Sequence, residues 1–275
     1  MPKLYMLTEH SPFMMSFVFI TDKDNAVIID GGEPSDMPYL KEIVGDRKIL
    51  AWILTHPHHD HIWGFISEVE NGGLIENTKK VYYNFPSEEF VLKYEPEIKP
   101  CSICDFNRIL YKIKDKSVIV NPPYKISADE LCIEFLYSGG EKHKEPNFGL
   151  EVNESSLVFK VTSDGMRSVL FLGDLGPNGG RDLLRICPDK LKSDIVQMAH
   201  HGHSGVTEEV YKKINPEICL WCAPEWLWEE DGIEFFTDAY GTKRQREWMD
   251  NMGVKKHYVT KDGTWLIPLE VKDND

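Results

Sequence analysis

Histidine and aspartate gather in two short windows of this 275-residue chain. Seven of its ten histidines lie within residues 56–61 and 200–203. Imidazole nitrogen is the commonest side-chain ligand for metal ions, and an aspartate oxygen completes hard or borderline sites. Because packing does not explain such clustering in polar loops, the two windows predict metal-dependent chemistry.

The first window has the spacing HxHxDH. Alternate residues of an extended segment point the same way, so His56 and His58 can bind one ion. The chain then turns into a predicted helix, where the neighbours Asp60 and His61 can reach a second ion. His59 falls on the other phase and is predicted to lie at the surface or to support the ligands.

Predicted strands lead into these polar segments. The continuous apolar run Ile49–Leu54 indicates a buried strand that ends at the first window, and Ile195–Ala199 indicates one that ends at the second. Ser168–Leu172 ends at Gly173 and Asp174 in the same way. Polar residues in strand-end loops, with strands and helices alternating, are typical of a layered α/β protein.

The remaining elements follow the same pattern. Phe17–Ile20 with Ala26–Ile29, and Ser155–Val161 with Ser168–Leu172, are predicted hairpins. Further strands are predicted over Leu131–Tyr137 and Ile218–Ala223, a C-terminal hairpin over Lys256–Val271, and helices over 36–45, 62–70, 181–186, 207–214 and 242–252.

The window 55–61, with Gly64 three residues on, resembles the HxHxDH signature of the metallo-β-lactamase-fold hydrolases. Asp30-Gly31, Gly173-Asp174 and His200-His201-Gly202 resemble the other motifs of that family, in the same order along the chain. The resemblance implies a four-layer αββα sandwich. It also implies one domain over residues 1–275. Residues 79–125 are basic and rich in tyrosine, phenylalanine and proline, which predicts an insertion or lid at about 79–125, or else ordinary strands with a charged outer face.

Three segments indicate a particular branch of this family. Asn153–Leu157, Leu170–Asp174 and His200–Ser204 are similar to the branch that contains the ComEC hydrolase domain and phosphorylcholine esterase. That branch implies phosphodiester chemistry. True β-lactamases typically have a cysteine ligand, and no comparable thiol stands beside Asp174 here.

The resemblance also implies two divalent ions that share Asp174. The other implied ligands are His56, His58, Asp60, His61 and His200. His200 is preferred to His201 because it comes first after the strand, which would place His201 near the substrate; the choice between them stays open. Zinc is the first expectation, and manganese and iron also suit this ligand set. A metal-bridged hydroxide would then attack the substrate, with Asp60, Asp174 and His201 as catalytic residues.

One ligand of the family pattern is missing. The usual histidine between the HxHxDH motif and the bridging aspartate is absent, and Asn153 stands near its place. His143 is the one histidine between His61 and Asp174, so His143, Asn153 or water could fill the position. His203 and His257 are further candidates for contact with the substrate, although His257 equally fits an ordinary strand.

The net charge of the chain limits the classes of molecule that it is expected to bind. The formal net charge of −14 argues against an extended nucleic acid or an anionic membrane. Residues 79–125 hold nine basic and six acidic side chains, which favours an anionic substrate.

Together, the metal motifs, the resemblance and the charge lead us to expect a metal-dependent hydrolase of a phosphoester, a phosphodiester above all. A thioester, lactone or lactam hydrolase of the same fold, and a metal-bearing binding domain without activity, are the alternatives. The sequence leaves the oligomeric state open.

No apolar run approaches the ~20 residues of a membrane-spanning helix. The N-terminal region lacks the features of a signal peptide, so we expect a cytoplasmic protein with reduced thiols. The CxxC pairs Cys101/Cys104 and Cys219/Cys222 are then expected to be small buried hydrophobic residues rather than a second metal site.

The segment Pro224–Asp231 contains Trp226 and Trp228 beside four acidic residues. This composition predicts an aromatic lid edge or oligomer contact, or else an aromatic cage for a cationic head group.

Overall fold

The computed structural model describes residues 1–96, 101–144, 150–229 and 242–271, and their strands form two seven-stranded sheets. The first sheet contains β1 (Lys3–Met6), β2 (Ser16–Ile20), β3 (Ala26–Asp30), β4 (Ile49–Ile53), β5 (Val81–Tyr83), β6 (Ser117–Ile119) and β14 (Trp265–Ile267). The second contains β7 (Tyr124–Ala128), β8 (Leu131–Ser138), β9 (Leu157–Thr162), β10 (Val169–Phe171), β11 (Ile195–Gln197), β12 (Ile218–Trp221) and β13 (Lys256–Val259). In space the orders are β14-β1-β2-β3-β4-β5-β6 and β13-β12-β11-β10-β9-β8-β7.

Helices cover the outer face of each sheet. The first sheet carries α1 (Met37–Val44), α2 (His59–Asn71), α3 (Leu74–Asn77), α4 (Glu88–Tyr94) and α5 (Ser102–Ile109). The second carries α6 (Pro177–Ile186), α7 (Glu208–Ile214), α8 (Glu225–Glu229) and α9 (Thr242–Asn251). None of the described helices has the length and hydropathy of a bilayer-spanning segment.

Three apolar cores hold these layers together. Phe17 and Phe19 of β2 pack between the sheets against Phe171, whereas their neighbour Val18 faces the helices of the first half. Successive side chains of a strand point to opposite faces, so a strand buried on both faces is apolar at every position. The continuous apolar runs in the sequence therefore arise from the predicted αββα sandwich, which the structure confirms.

Parallel strands bring the polar segments to one edge. β3, β4 and β5 run parallel in the first sheet, and β10, β11, β12 and β13 run parallel in the second. The carboxyl ends of such strands meet at one edge, where α/β sheets carry their sites. Asp30, the HxHxDH segment, Asp174 and the second histidine window all follow these ends.

The predicted C-terminal hairpin is wrong. β13 lies parallel to β12 in the second sheet, whereas β14 pairs antiparallel with β1 in the first. A 3₁₀ turn over Thr260–Asp262, followed by Gly263 at a φ of 114°, separates them. Turn residues predict a reversal of the chain, but they do not say which sheet receives the next strand.

The segment 79–125 is built partly into the sheets. It supplies β5 and its neighbour β6, which is the edge strand of the first sheet, and the helices α4 and α5 between them; residues 97–100 lie outside the described part. Cys101 precedes α5 and forms a disulfide with Cys104, with 5.4 Å between their Cα atoms. The expectation of reduced thiols is therefore wrong for this pair, because one helical turn brings the two residues within disulfide distance.

The other CxxC pair is free and buried. Cys219 packs in the core under the second-half helices, whereas Cys222 packs between the sheets. Their opposite directions follow from the alternation of a strand and do not suit joint chelation.

Candidate metal centre

Four buried side chains converge where the strand ends of the two sheets meet. Ligand atoms of Asp60, His61, Asp174 and His201 all lie within 4.8 Å of one another. Nε2 of His201 is 3.0 Å from Asp60 Oδ2 and 3.4 Å from Asp174 Oδ2. Nε2 of His61 is 3.2 Å from the same Asp174 oxygen. Two imidazoles and two carboxylates at these separations form a ligand set suited to a divalent transition-metal ion.

The start of α2 explains how one segment supplies two of these ligands. The helix begins at His59, three residues earlier than its hydrophobic pattern predicts, so Asp60 and His61 lie in its first turn. Gly64 allows this turn to approach the loop after β3, since its backbone N–H donates to the Gly32 carbonyl at 2.7 Å. A Cβ atom at Gly64 would lie 2.8 Å from the Gly31 carbonyl oxygen, so a larger residue would displace the helix.

His56 and His58 form a second group beside the first. Nε2 of His56 lies 2.9 Å from Nδ1 of His58 and 3.8 Å from Asp174 Oδ2. The Asp174 carboxylate therefore neighbours both groups, which is the position that a ligand shared by two ions must have.

Outer hydrogen bonds determine which nitrogen of each ring faces the centre. Nδ1 of His61 is 2.8 Å from Asp30 Oδ2, and Nδ1 of His201 is 2.9 Å from the Cys222 carbonyl oxygen. A carboxylate or carbonyl oxygen only accepts, so both Nδ1 atoms carry protons and both Nε2 atoms are left for an ion.

The second group is oriented in the same way. Nε2 of His58 lies 2.9 Å from Glu95 Oε2, which makes Nδ1 the atom with the free lone pair. Nδ1 of His56 lies 3.2 Å from the Thr55 hydroxyl, which itself donates to Asp30. His56 therefore presents Nε2 towards His58 Nδ1. A proton joins these two nitrogens in a hydrogen bond when no ion is bound, and an ion would replace that proton.

Buried polar atoms at the centre lack hydrogen-bond partners. Asp174 Oδ1 and Asn153 Oδ1 are buried and have no hydrogen-bond partner among the described residues. Leaving such an atom unsatisfied costs about 1–3 kcal/mol, so these atoms need a partner. A cation that accepts their lone pairs removes this cost, and the residues present therefore fit divalent ions.

The charges at the centre are mutually dependent. Burial alone would raise the pKa of Asp174, but the charges of His61, His201 and His56 hold it well below its ordinary value. Burial would lower the pKa of His201, but Asp174 and Asp60 raise it to about 10. The carboxylates thus require positive charge, and protons on His61 and His201 supply it when no ion does.

The loop that carries Asp174 is held by neighbouring polar groups. Gly173 has a φ of 57°, and a Cβ atom there would lie 3.1 Å from Thr55 Cβ. The Gln197 side chain accepts from the Gly173 N–H at 2.8 Å and donates to its carbonyl at 3.0 Å. The Ser156 hydroxyl accepts from the Asp174 N–H at 3.0 Å. These contacts fix the direction of the carboxylate.

His200 and His201 occupy a strained turn. Their φ angles are 53° and 56°, a region that costs a non-glycine residue about 1–3 kcal/mol. His201 belongs to the four-residue group, whereas Nε2 of His200 is 3.9 Å from Asp174 Oδ2. Burial lowers the pKa of His200 to about 4, so its ring is neutral. Both histidines neighbour Asp174, with His201 the nearer, and the preference for His200 as ligand stays a prediction.

The two candidates for the missing ligand have different surroundings. Asn153 is buried, and its amide nitrogen lies 3.4 Å from His200 Nε2, which leaves its carbonyl oxygen unpaired. Nε2 of His143 instead lies 3.1 Å from the Tyr137 hydroxyl and 3.5 Å from Asp182. Asn153 is therefore the candidate that the structure brings to the centre.

The two candidates for substrate contact, His257 and His203, have different surroundings. His257 accepts from Trp221 Nε1 at 3.0 Å through Nδ1 and donates to the Val254 carbonyl through Nε2, as suits a histidine of strand β13. His203 lies with its ring 4.1 Å from that of His200, and burial holds its pKa well below the ordinary value.

A cavity of about 200 Å³ opens over the centre, with Phe13, His59, Asn153 and His203 among the residues on its walls. His59 lies 3.6 Å from Glu33, and burial lowers its pKa, so it is neutral. The cavity is therefore lined by imidazole, amide and aromatic groups around the ionised carboxylates of Asp60 and Asp174.

The tryptophans of α8 make separate contacts. The Trp226 ring packs edge-on against Phe13 at 4.6 Å, whereas Trp228 packs against Trp221 and carries the Arg246 guanidinium over its face at 4.4 Å. Glu230 and Asp231 lie outside the described residues. These contacts favour the aromatic edge over the cage.

The supporting roles of three residues were not predicted from the sequence. Asp30 was noted as a strand-end motif, but its bond to His61 depends on how β3 and α2 meet. Gln197 lies inside an apolar strand, and this buried polar residue was a usable signal. Glu95 follows His58 by 37 residues and has no local pattern that links the two.

The sequence of this chain is similar to those of known proteins. Residues 11–216 match the family model of the metallo-beta-lactamase superfamily. ComE operon protein 3 of Bacillus subtilis (strain 168) is 26% identical over 190 residues, which are 69% of this chain and 22% of that protein. Ribonuclease Z of Nitrosopumilus maritimus (strain SCM1) is 25% identical over 143 residues, which are 50% of this chain and 47% of that protein. The chain thus spans less than half the length of either curated relative.

A solved structure resembles the chain over nearly its whole length. The metallo-beta-lactamase fold protein YhfI of Bacillus subtilis has a TM-score of 0.54 and 14% sequence identity, with 96% of this chain and 99% of that one covered. At this identity the likeness concerns the fold alone.

Proposed function

Since this chain belongs to the metallo-beta-lactamase superfamily of metal-dependent hydrolases, we propose that it uses two divalent ions to hydrolyse a phosphoester, a phosphodiester above all. The observation that carries the proposal is the position of Asp174. Its carboxylate neighbours the group of Asp60, His61 and His201 and also the pair of His56 and His58.

The proposed ligands divide between the two groups. Asp60, His61 and His201 hold one ion, with Asp174 shared. His56 and His58 hold the other, and the unpaired Asn153 oxygen completes its shell. This assignment takes His201 rather than His200, because Nε2 of His201 is 3.4 Å from Asp174 Oδ2 and that of His200 is 3.9 Å away.

The chain's own groups prepare the site for an anionic ester. Divalent ions bound there would supply an activated water nucleophile and compensate charge on the ester oxygens. Asp60 and Asp174 stay ionised at neutral pH, because the neighbouring histidines hold their pKa values well below the ordinary range despite burial. The neutral rings of His59 and His203 can hydrogen-bond to substrate oxygens without adding charge.

Two observations support a phosphodiester within this class. Ribonuclease Z is, by its name, an enzyme that cleaves RNA, which is a phosphodiester. The second is the composition of segment 79–125, whose nine basic and six acidic side chains favour an anionic substrate. Zinc is the first candidate for the ions, and manganese and iron suit the same nitrogen and oxygen ligands.

A substrate panel tests the proposal. Metal-free protein is reloaded with zinc, manganese or iron and assayed on bis(4-nitrophenyl) phosphate, a phosphomonoester, a thioester and a lactone. We expect turnover of the diester that requires added metal and falls at least about a hundredfold in Asp174→Asn. Asp164→Asn, in an exposed turn, is the matched control and should keep the wild-type rate.

The other results are equally informative. Turnover of the thioester or lactone alone would replace the phosphodiester with a carbonyl substrate. Bound metal without turnover of any ester would indicate a binding domain instead of an enzyme.

A further inference from the structure

Glu95 reaches the metal centre from a segment that carries none of the motif residues. It follows the last residue of α4, and its backbone N–H donates to the Val91 carbonyl at 2.8 Å. Its carboxylate oxygens lie 2.9 and 3.2 Å from Nε2 of His58, and its side chain is only 13% exposed. The contact is thus a largely buried, charge-assisted hydrogen bond.

This hydrogen bond determines what His58 can do. With Nε2–H donated to Glu95, the lone pair of His58 lies on Nδ1, which is 2.9 Å from His56 Nε2. Without an acceptor at Nε2, the ring could adopt the other tautomer or rotate, and the paired lone pairs of His56 and His58 would be lost.

Helix α4, which ends directly before Glu95, is anchored at both of its ends. The Ser87 N–H donates to Glu141 Oε1 at 2.8 Å, and the Tyr94 hydroxyl donates to the Lys144 carbonyl at 2.7 Å. Phe90 and Val91 are buried. Glu95 is therefore presented by a fixed helix and not by a free side chain at the surface.

We propose that Glu95 is a positioning residue that sets the affinity of the ion held by His56 and His58, so that the segment 79–125 controls the occupancy of one half of the centre. The inference rests on the proposed two-ion site. The ion held by Asp60, His61 and His201 has its own outer contacts, at Asp30 and Cys222, and should not depend on Glu95.

Titration of the metal-free protein with zinc, followed by calorimetry, tests the proposal without any substrate. We expect wild type to bind two equivalents. Glu95→Ala should weaken one of them by about tenfold to a hundredfold and leave the other unchanged. Glu95→Gln keeps an oxygen that accepts from His58 and should restore most of the affinity. Glu89→Gln, at an exposed position of the same helix, should behave as wild type.

Two further measurements separate positioning from folding. Urea unfolding of the metal-free variants should show that Glu95→Ala is folded and modestly less stable than wild type, because only one largely buried, charge-assisted hydrogen bond is lost. Cobalt-loaded Glu95→Ala should show an altered visible spectrum for one ion of the two.

The failures can be told apart. If wild type binds no metal, the proposed function fails. If wild type binds two ions and Glu95→Ala binds both with wild-type affinity, the positioning role of Glu95 is wrong and the proposed function stands.

Discussion

Three candidate histidine ligands of this centre are each paired with a group that orients the ring. Asp30 fixes His61, the Cys222 carbonyl fixes His201, and Glu95 fixes His58. Such outer partners hold the ring angle and tautomer, which is why their loss weakens metal binding. The ligand types were predictable from the HxHxDH spacing and the family resemblance, because those residues are local in sequence. Their partners come from other elements and were not.

Asn153 offers a test at a single position. Asn153→Ala removes the unpaired amide oxygen, and we expect the ion held by His56 and His58 to dissociate at least about tenfold more readily. Asn153→Asp keeps an oxygen and adds a negative charge, so it should bind that ion as tightly as wild type or tighter. Zinc titration of the metal-free proteins measures both.

Asn251→Ala, at an exposed position in α9, is the control. Unchanged binding of both ions in Asn153→Ala would remove Asn153 from the ligands.

At the scale of elements, the turn before β9 connects the centre to α6. Glu154 is buried, and its carboxylate accepts from the backbone N–H groups of Asn178 at 2.9 Å and Gly179 at 2.6 Å. These are N–H groups of the first turn of α6, which no residue inside the helix can satisfy. Glu154 thus closes the start of the helix that follows Asp174.

Glu154→Ala should therefore destabilise the fold. Because it leaves the buried Gly179 N–H and the part-buried Asn178 N–H without a charged acceptor, we expect the free energy of unfolding to fall by about 1.5–3 kcal/mol. Urea denaturation of the metal-free protein measures this. Glu208→Ala, which removes a surface pair with Lys212 in the first turn of α7, should cost less than about 1 kcal/mol. Equal losses in the two variants would contradict the capping role.

Elements were predictable where the pattern is long or apolar on both faces, as in β4 or β2 with β3. The prediction failed at the C-terminus, because a turn signal does not show that β13 and β14 join different sheets. It also placed the start of α2 too late, because the polar residues Asp60 and His61 stand where apolar residues would mark a helix.

For the whole molecule, the charge at the centre makes the free energy of unfolding depend on pH and on bound metal. His201 in the metal-free protein has its pKa raised to about 10 from an ordinary value of 6.5. A raised pKa contributes stability that is fully present below the ordinary value and is lost as the pH rises through the raised one. We therefore expect the metal-free protein to lose stability between about pH 6.5 and about pH 10.

The metal-loaded protein should lose less, because bound ions replace the protons. Urea unfolding across this range, with a chelator and with zinc, compares the two states. A metal-free protein whose stability does not fall with pH would contradict this account of the centre's charge.

The central claim is that Asp174 is shared by two ions, and counting the ions tests it most directly. Metal content per chain is measured after saturation with zinc and removal of excess, for wild type, Asp174→Asn and the control Asp164→Asn. We expect two zinc ions per chain in wild type and in the control, and at most one in Asp174→Asn. A wild-type protein that holds none, or an Asp174→Asn protein that still holds two, would contradict it.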